Sequence, residues 1–233
     1  PVYQSQLCFD FFHMVLIKSL LTIFCAAAML RFKFIIAFIP WFACSAFASD
    51  FTPMSEQGLQ SKGSTMVSAY GASPSLVPSL IEGRADVLDS PSDCNVLYNY
   101  GLRVYKVARP GIYKLSEAGA SVGAVYQLAG ESESSYRAAL ALCDNHGRTH
   151  IMLGLLLSEL SRAVEANPHL KRGLTLPEGS ADWMIAANQY LFNQINLNLI
   201  GLEERNLYGK FKEHANTKTA YLKSVARYAP YVQ

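Results

Sequence analysis

Ser134-Ser-Tyr-Arg-Ala-Ala-Leu-Ala-Leu-Cys143-Asp-Asn-His146-Gly-Arg-Thr149-His-Ile-Met-Leu-Gly-Leu-Leu-Leu-Ser158-Glu-Leu160-Ser-Arg-Ala-Val164 is the stretch that decides the fold. Tyr136, Ala139, Leu140 and Cys143 recur at i, i+3, i+4 and i+7, the spacing of one helix face. Asn145-His146-Gly147 is a helix stop. Thr149 then caps a second helix, in which Ile151, Met152, Leu155, Leu156, Leu160 and Val164 share a stripe, and Glu165-Ala-Asn-Pro168 closes it. Two helices joined by so short a connection predict an antiparallel αα-hairpin. The fold class that follows is mostly α, a compact multi-helix domain.

The pattern extends in both directions. Ser180 caps a helix reaching Leu199 or Ile200, with Trp183, Ala186, Ala187, Tyr190, Leu191, Ile195 and Leu199 inward. Gly201 breaks it, and Leu202–His214 and Thr217–Tyr228 read as two further amphipathic helices. Upstream, Ser90-Pro-Ser-Asp93 is a helix start, and Val96, Leu97, Tyr100, Val104 and Val107 predict a helix over 93–107, ended at Arg109-Pro110-Gly111. A β-hairpin of Leu102–Val107 and Gly111–Leu115 competes, because Tyr105, Val107, Ile112 and Tyr113 favour strands locally. Ser116–Leu128 is weakly helical, with Gly130 and Glu131–Ser135 as punctuation. Pro78–Ile81 suits a short helix. Asp50–Ser75 is rich in Ser and Gly, buries little apolar surface on this reading, and is expected to be flexible. No repeat recurs at a fixed period, which argues against a solenoid.

The segment Leu30–Ser49 sets the expected compartment. A basic start (Arg31, Lys33), an apolar run from Ile35 to Ala46 and small residues before Ser49 make a secretory signal peptide, with Met29 as its initiator. The organisation expected is upstream or non-mature sequence at 1–28, the signal at 29–48, a flexible polar lead at 49–74 and a helical domain at 75–233. A lipidated Cys44 is a weaker variant, since of the residues just before it only Ala43 suits that signal. A retained anchor over residues 15–48 is another, although each of its two apolar runs is shorter than the ~20 residues that span a bilayer. Two cysteines remain beyond the signal, Cys94 and Cys143, and an even pair in an exported protein predicts one disulfide.

Charge narrows the function. The whole chain carries a formal +2, but basic and acidic side chains balance from Ser49 onward. A neutral domain argues against nucleic acid as a partner, because phosphate neutralisation needs a basic surface. The Gly201–Gln233 segment is locally basic, which suits a solvated helix face.

The chemistry-bearing residues are few. Cys143, His146 and His150, at i, i+3 and i+7, carry a zinc-type donor set if one helix holds all three, with Asp144 adjacent. Gly147 and a disulfide at Cys143 both oppose that. Glu159, Glu165 and the Glu203–Glu204 pair are candidate acids for glycan cleavage, which needs a carboxyl with a raised pKa in a cleft; at a helix start, acids such as Glu203 and Glu204 also simply favour the helix dipole. There is no Gly-x-Ser-x-Gly, Ser-x-x-Lys, phosphate-cradling loop, EF-hand loop or Cys-x-x-Cys, so no cofactor is expected and no catalytic residue is assigned. Tyrosines are frequent, and Tyr228 and Tyr231 at the C-terminus are the candidate docking surface. The first functional expectation is an exported protein-binding or accessory protein of the cell envelope, or an inhibitor. An envelope hydrolase acting on glycan or peptide is the second. A membrane-tethered accessory subunit is the third, if the N-terminal apolar segment is kept.

Overall fold

Nine α-helices, and no strand, are found among the residues that the computed structural model describes, 51–115 and 122–232. They are α1 (Glu56–Tyr70), α2 (Leu76–Asp89), α3 (Cys94–Tyr113), α4 (Val122–Leu142), α5 (Gly147–Glu159), α6 (Ala163–Gly173), α7 (Ala181–Asn196), α8 (Leu202–Ala215) and α9 (Thr219–Val232). The signal peptide read at 29–48, and the sequence before it, lie outside the described residues.

The long pair α3–α4 is the centre of the first core, and small residues let the two helices approach. A Cβ built on Gly101 would stand 2.8 Å from the Tyr136 ring and 3.3 Å from the Ser132 carbonyl oxygen. Ser132 Oγ donates to the Gly101 carbonyl at 2.8 Å, and Ser135 Oγ to the Leu97 carbonyl at 2.7 Å. Both serines are fully buried. Gly101→Ala therefore overpacks a crossing with no free space and is expected to cost about 2 kcal/mol. A urea unfolding curve checks it, with the midpoint moving down at unchanged slope.

These contacts explain one departure from the sequence reading. Glu131–Ser135 looked like a break, yet α4 runs through it, because the Ser132 and Ser135 hydroxyls are spent on α3 carbonyls and Glu131 and Glu133 bond Tyr100 and Arg162 across the fold. The hairpin alternative for 102–115 is excluded, and the helix also outruns its expected end at 107. It passes through Pro110 because Gly111 and Ile112 beyond it are buried, Gly111 closely against Met66 and Val125. Asp93 caps it as expected, accepting from Asn95 N–H at 2.8 Å.

The expected flexible lead is ordered as well. Ser55 caps α1, accepting from Gly58 N–H at 3.2 Å, and Leu59, Gly63, Met66 and Tyr70 are buried along one face. Gly63 lies tight against Val77 of α2, a Cβ there reaching within 3.1 Å. Gly71, at φ 72°, ends the helix in the left-handed region. The residues before α1 are pinned too: Met54 N–H donates to Glu131 Oε1 at 2.7 Å, and Arg84 Nε donates to the Met54 carbonyl at 2.8 Å. Small side chains here permit close helix packing rather than disorder.

The stretch 134–164 divides differently from the two helices expected there. α4 ends at Leu142, and α5 is capped at His146 rather than Thr149. The single helix expected over 149–164 stops at Glu159, where Ser161 takes φ 62°. α6 then begins at Ala163 and carries Pro168 inside its first turns. The tight antiparallel pair is α5–α6, interlocked where Gly154 meets Leu170 and Gly173 meets Ile151. Ser180 caps α7 as expected, and α7 ends at Asn196 with Asn198 at φ 55°.

Most buried apolar side chains fall into two clusters. The first runs from Leu59 to Leu170, together with Tyr190. The second joins Trp183, Met184, Ala187 and Leu191 of α7 to Tyr208 and Phe211 of α8 and Tyr228 and Val232 of α9. Leu174 and Leu207 pack on both. Around them the junction is polar: Asn193 Nδ2 donates to Ser158 Oγ (2.8 Å) and Asn167 Oδ1 (3.0 Å), and Asn167 Nδ2 to Gln194 Oε1 (3.4 Å).

Candidate functional site

Each sequence-nominated acid is held by structural partners. Glu159, at the end of α5, is the most enclosed of the glycan-cleaving candidates from the first pair. Tyr105 and Tyr113 donate their hydroxyls to its two oxygens at 2.8 and 2.7 Å, and Arg109 Nε reaches it at 3.3 Å. Residues 105, 109 and 113 stand four apart, so one face of α3 delivers all three groups. The Arg109 guanidinium lies 5.6 Å from the Tyr105 ring centre and 5.1 Å from that of Tyr113. Burial, with the Glu159 bond, pushes the Tyr113 phenol up to about 12. Burial first, then the Glu159 charge, raises Tyr105 as well. Glu159 thus already accepts three hydrogen bonds from one face of α3.

Glu204 is the buried member of its pair. It accepts from Tyr190 OH and Gln194 Nε2, each at 3.0 Å, and from Gly201 N–H at 2.9 Å, which caps α8. Burial works to raise its carboxyl, but these donors hold it below the usual value. Glu203 is exposed and pairs with Lys171 at 3.1 Å. Glu165 pairs with Arg162 at 2.7 Å, and that bond holds its carboxyl low. Nearby, Arg162 also bonds Glu133 at 2.6 Å. None of Glu165, Glu204 and Glu133 has the raised value that a general acid needs.

The cysteines and histidines separate. Cys94 and Cys143 form the expected disulfide, with Cα atoms 6.1 Å apart. It ties the start of α3 to the residue after α4 and takes Cys143 out of any donor set. His146 bonds Thr149, packs its ring on Tyr98, and is held low by burial and by Arg148. His150 pairs instead with His169, Nδ1 to Nδ1 at 2.9 Å. The Cys143–His146–His150 set is thus not assembled. Among the described residues no group of three or more His, Cys, Asp or Glu side chains is arranged to hold a metal ion. No described helix is long and apolar enough to cross a membrane.

The tyrosines are mainly core. Tyr228 is buried, and its hydroxyl donates to the Asn188 carbonyl and side-chain oxygens at 3.1 Å each. It therefore leaves the docking surface nominated with Tyr231, which is 58% exposed. Three buried phenols each donate to a glutamate on another helix: Tyr100 to Glu131, Tyr105 to Glu159, Tyr190 to Glu204. Polar ends of this kind are how tyrosine is accommodated in a core.

What the sequence reading did not single out is Arg109 with Tyr113, and His169. Tyr113 is 59% exposed and Arg109 is exposed, yet both are fixed from beneath by Glu159. Tyr126, also exposed, lies beside Val125, whose side chain meets Gly111, so it stands at the same end of the α3–α4 pair. The i, i+4, i+8 spacing of Tyr105, Arg109 and Tyr113 was visible, but the proline at 110 hid that one helix carries all three. Set against protein-family models, curated proteins and solved structures, the chain matches none of them.

Proposed function

We propose that the chain is an exported protein, periplasmic or secreted, that works by binding another protein of the cell envelope, as an accessory component or an inhibitor. The observation that carries this is the Arg109–Tyr113 pair: exposed, aromatic and cationic, and already immobilised by Glu159. Arg and Tyr, with Trp, are enriched among the few residues that dominate the energy of protein interfaces, and side chains ordered in advance lose little entropy on binding. The Cys94–Cys143 disulfide supports an oxidising compartment. The candidate acids, each spent on a structural partner, weaken the hydrolase reading.

The test is capture of partners from the envelope fraction of an export-competent host, with wild type and the Arg109→Ala/Tyr113→Ala variant compared by titration. The variant is expected to bind about 30-fold more weakly, the equivalent of a 2 kcal/mol hot spot, while Tyr231→Ala changes little. Equal capture by both proteins would remove this surface from the proposal. Cleavage of cell-wall glycan or peptide by the purified protein would replace binding with hydrolysis.

A further inference from the structure

His150 stands in the first turn of α5 and His169 in the middle of α6. Their Nδ1 atoms are 2.9 Å apart and their ring centres 5.2 Å apart, about as far as that contact allows. The rings therefore meet head-on, each nitrogen aimed at the other rather than at a third point where an ion could sit. His150 Nε2 lies 2.7 Å from the Asp144 carbonyl oxygen. A carbonyl can only accept, so that nitrogen carries a hydrogen, and a neutral His150 has a bare Nδ1. The hydrogen between the rings then belongs to His169 Nδ1. One backbone carbonyl thus fixes the tautomers of both rings.

We infer that His150 and His169 form a proton-sharing joint between α5 and α6, intact as the neutral pair or with one added proton, and broken by a second. With one added proton both outer nitrogens carry hydrogen and a single hydrogen stays between the rings, so the N–H···N bond persists as a charge-assisted one. The second has only His150 Nδ1 to occupy. Both facing nitrogens then carry hydrogen, no acceptor remains between them, and two cations stand at hydrogen-bond distance. The joint pins the 143–147 turn beside the disulfide, so acid loosens that edge first, while the Gly154–Leu170 contact holds the rest of the pair.

The charges facing the joint come from every neighbouring element. α4 supplies Glu133 and Arg137, which bond each other at 2.8 Å. The start of α6 supplies Arg162 and Glu165, likewise paired. Asp144 precedes α5, and α5 adds His146 and Arg148, the latter paired with Asp182 of α7 at 2.9 Å. α3 supplies Tyr98, packed on His146. The ion pairs are mutually compensated, which leaves the two facing rings as the uncompensated groups of the joint. Burial, then His150 and Arg137, push His169 down to about 4. An unfolded chain takes that proton near pH 6.5. Below this the unfolded state binds more protons, so stability falls as the pH falls and levels off near 4.

Ring-nitrogen resonances of the isotope-labelled protein, followed from pH 8 to 4, test the joint. At pH 8 the expected result is a bare Nδ1 on His150, a protonated Nδ1 on His169 and a scalar coupling between the two. Between pH 7 and 5, above the carboxylate range, the wild-type unfolding constant is expected to rise by up to about tenfold per unit. His169→Gln should remove at least half of that slope, and His150→Gln a smaller part, because burial is the first cause of the His169 shift and His150 the second. A bare Nδ1 on His169 at pH 8, or an unchanged slope in both variants, overturns the inference. Should one variant fail to fold, the wild-type tautomers and the other variant still decide it.

Discussion

Replacing Cys94 and Cys143 together by alanine is expected to lower the unfolding free energy by about 4 kcal/mol. The crosslink closes a loop across a sequence separation of 49 residues, and the chain-entropy cost it removes from the unfolded state reaches about that size for such a loop. The loop encloses all of α3 and α4, whose crossing at Gly101, Ser132 and Ser135 centres the first core. The folded contacts survive the substitution, so the effect acts mainly on the unfolded chain. Urea unfolding of oxidised wild type against the double variant measures it. The midpoint should fall, and the slope should rise as the released chain expands. A midpoint shift under a quarter of that expected would mean the unfolded state is already compact around this pair.

Glu131→Ala is the second large effect, at about 3 kcal/mol. One oxygen of Glu131 accepts from the Tyr100 hydroxyl and from Met54 N–H, each at 2.7 Å. Tyr100 is fully buried, so its hydroxyl keeps no route to water once the carboxylate is gone, and an orphaned buried donor costs ~1–3 kcal/mol. Met54 loses its anchor at the same time, and with it the attachment of the chain leading into α1. Glu131→Gln keeps an acceptor oxygen and should recover more than half of the loss. Amide exchange separates local from global effects: α1 should exchange much faster in Glu131→Ala, with α3 and α4 changed less. Uniform acceleration across all helices would show that α1 has no separate attachment through Glu131.

What the sequence disclosed depends on how far apart the cooperating residues lie. Helical character, the caps at Asp93 and Ser180 and the cysteine pair are local or compositional signals, and each was legible. Tyr100 and Glu131, or Tyr105 and Glu159, answer one another across several turns of different helices, so neither partnership was legible. Asp50–Ser75 misled because serine and glycine carry the same composition in a disordered tail as in a tight helix contact. The Leu59–Met66–Tyr70 stripe was the available sign of burial. His169 was passed over for a geometric reason. The helix expected to run through Ser161 puts 150 and 169 on no common surface. Once the turn falls near 160, the two are equidistant from it and must face each other in an antiparallel pair.

The division of the core has a consequence for the order of assembly. Apart from Tyr190, every buried member of the first cluster lies between Leu59 and Leu170, and every buried member of the second between Trp183 and Val232. A chain presented N-terminus first can therefore close α1–α6, and seal Cys94 to Cys143, while its last helices are still being delivered. Asn193, Gln194 and Glu204 then bring the late-arriving helices onto a surface that already exists. Their amides and carboxylate are water-compatible until they dock, so the half-finished protein shows its surroundings less bare hydrocarbon than a single undivided core would.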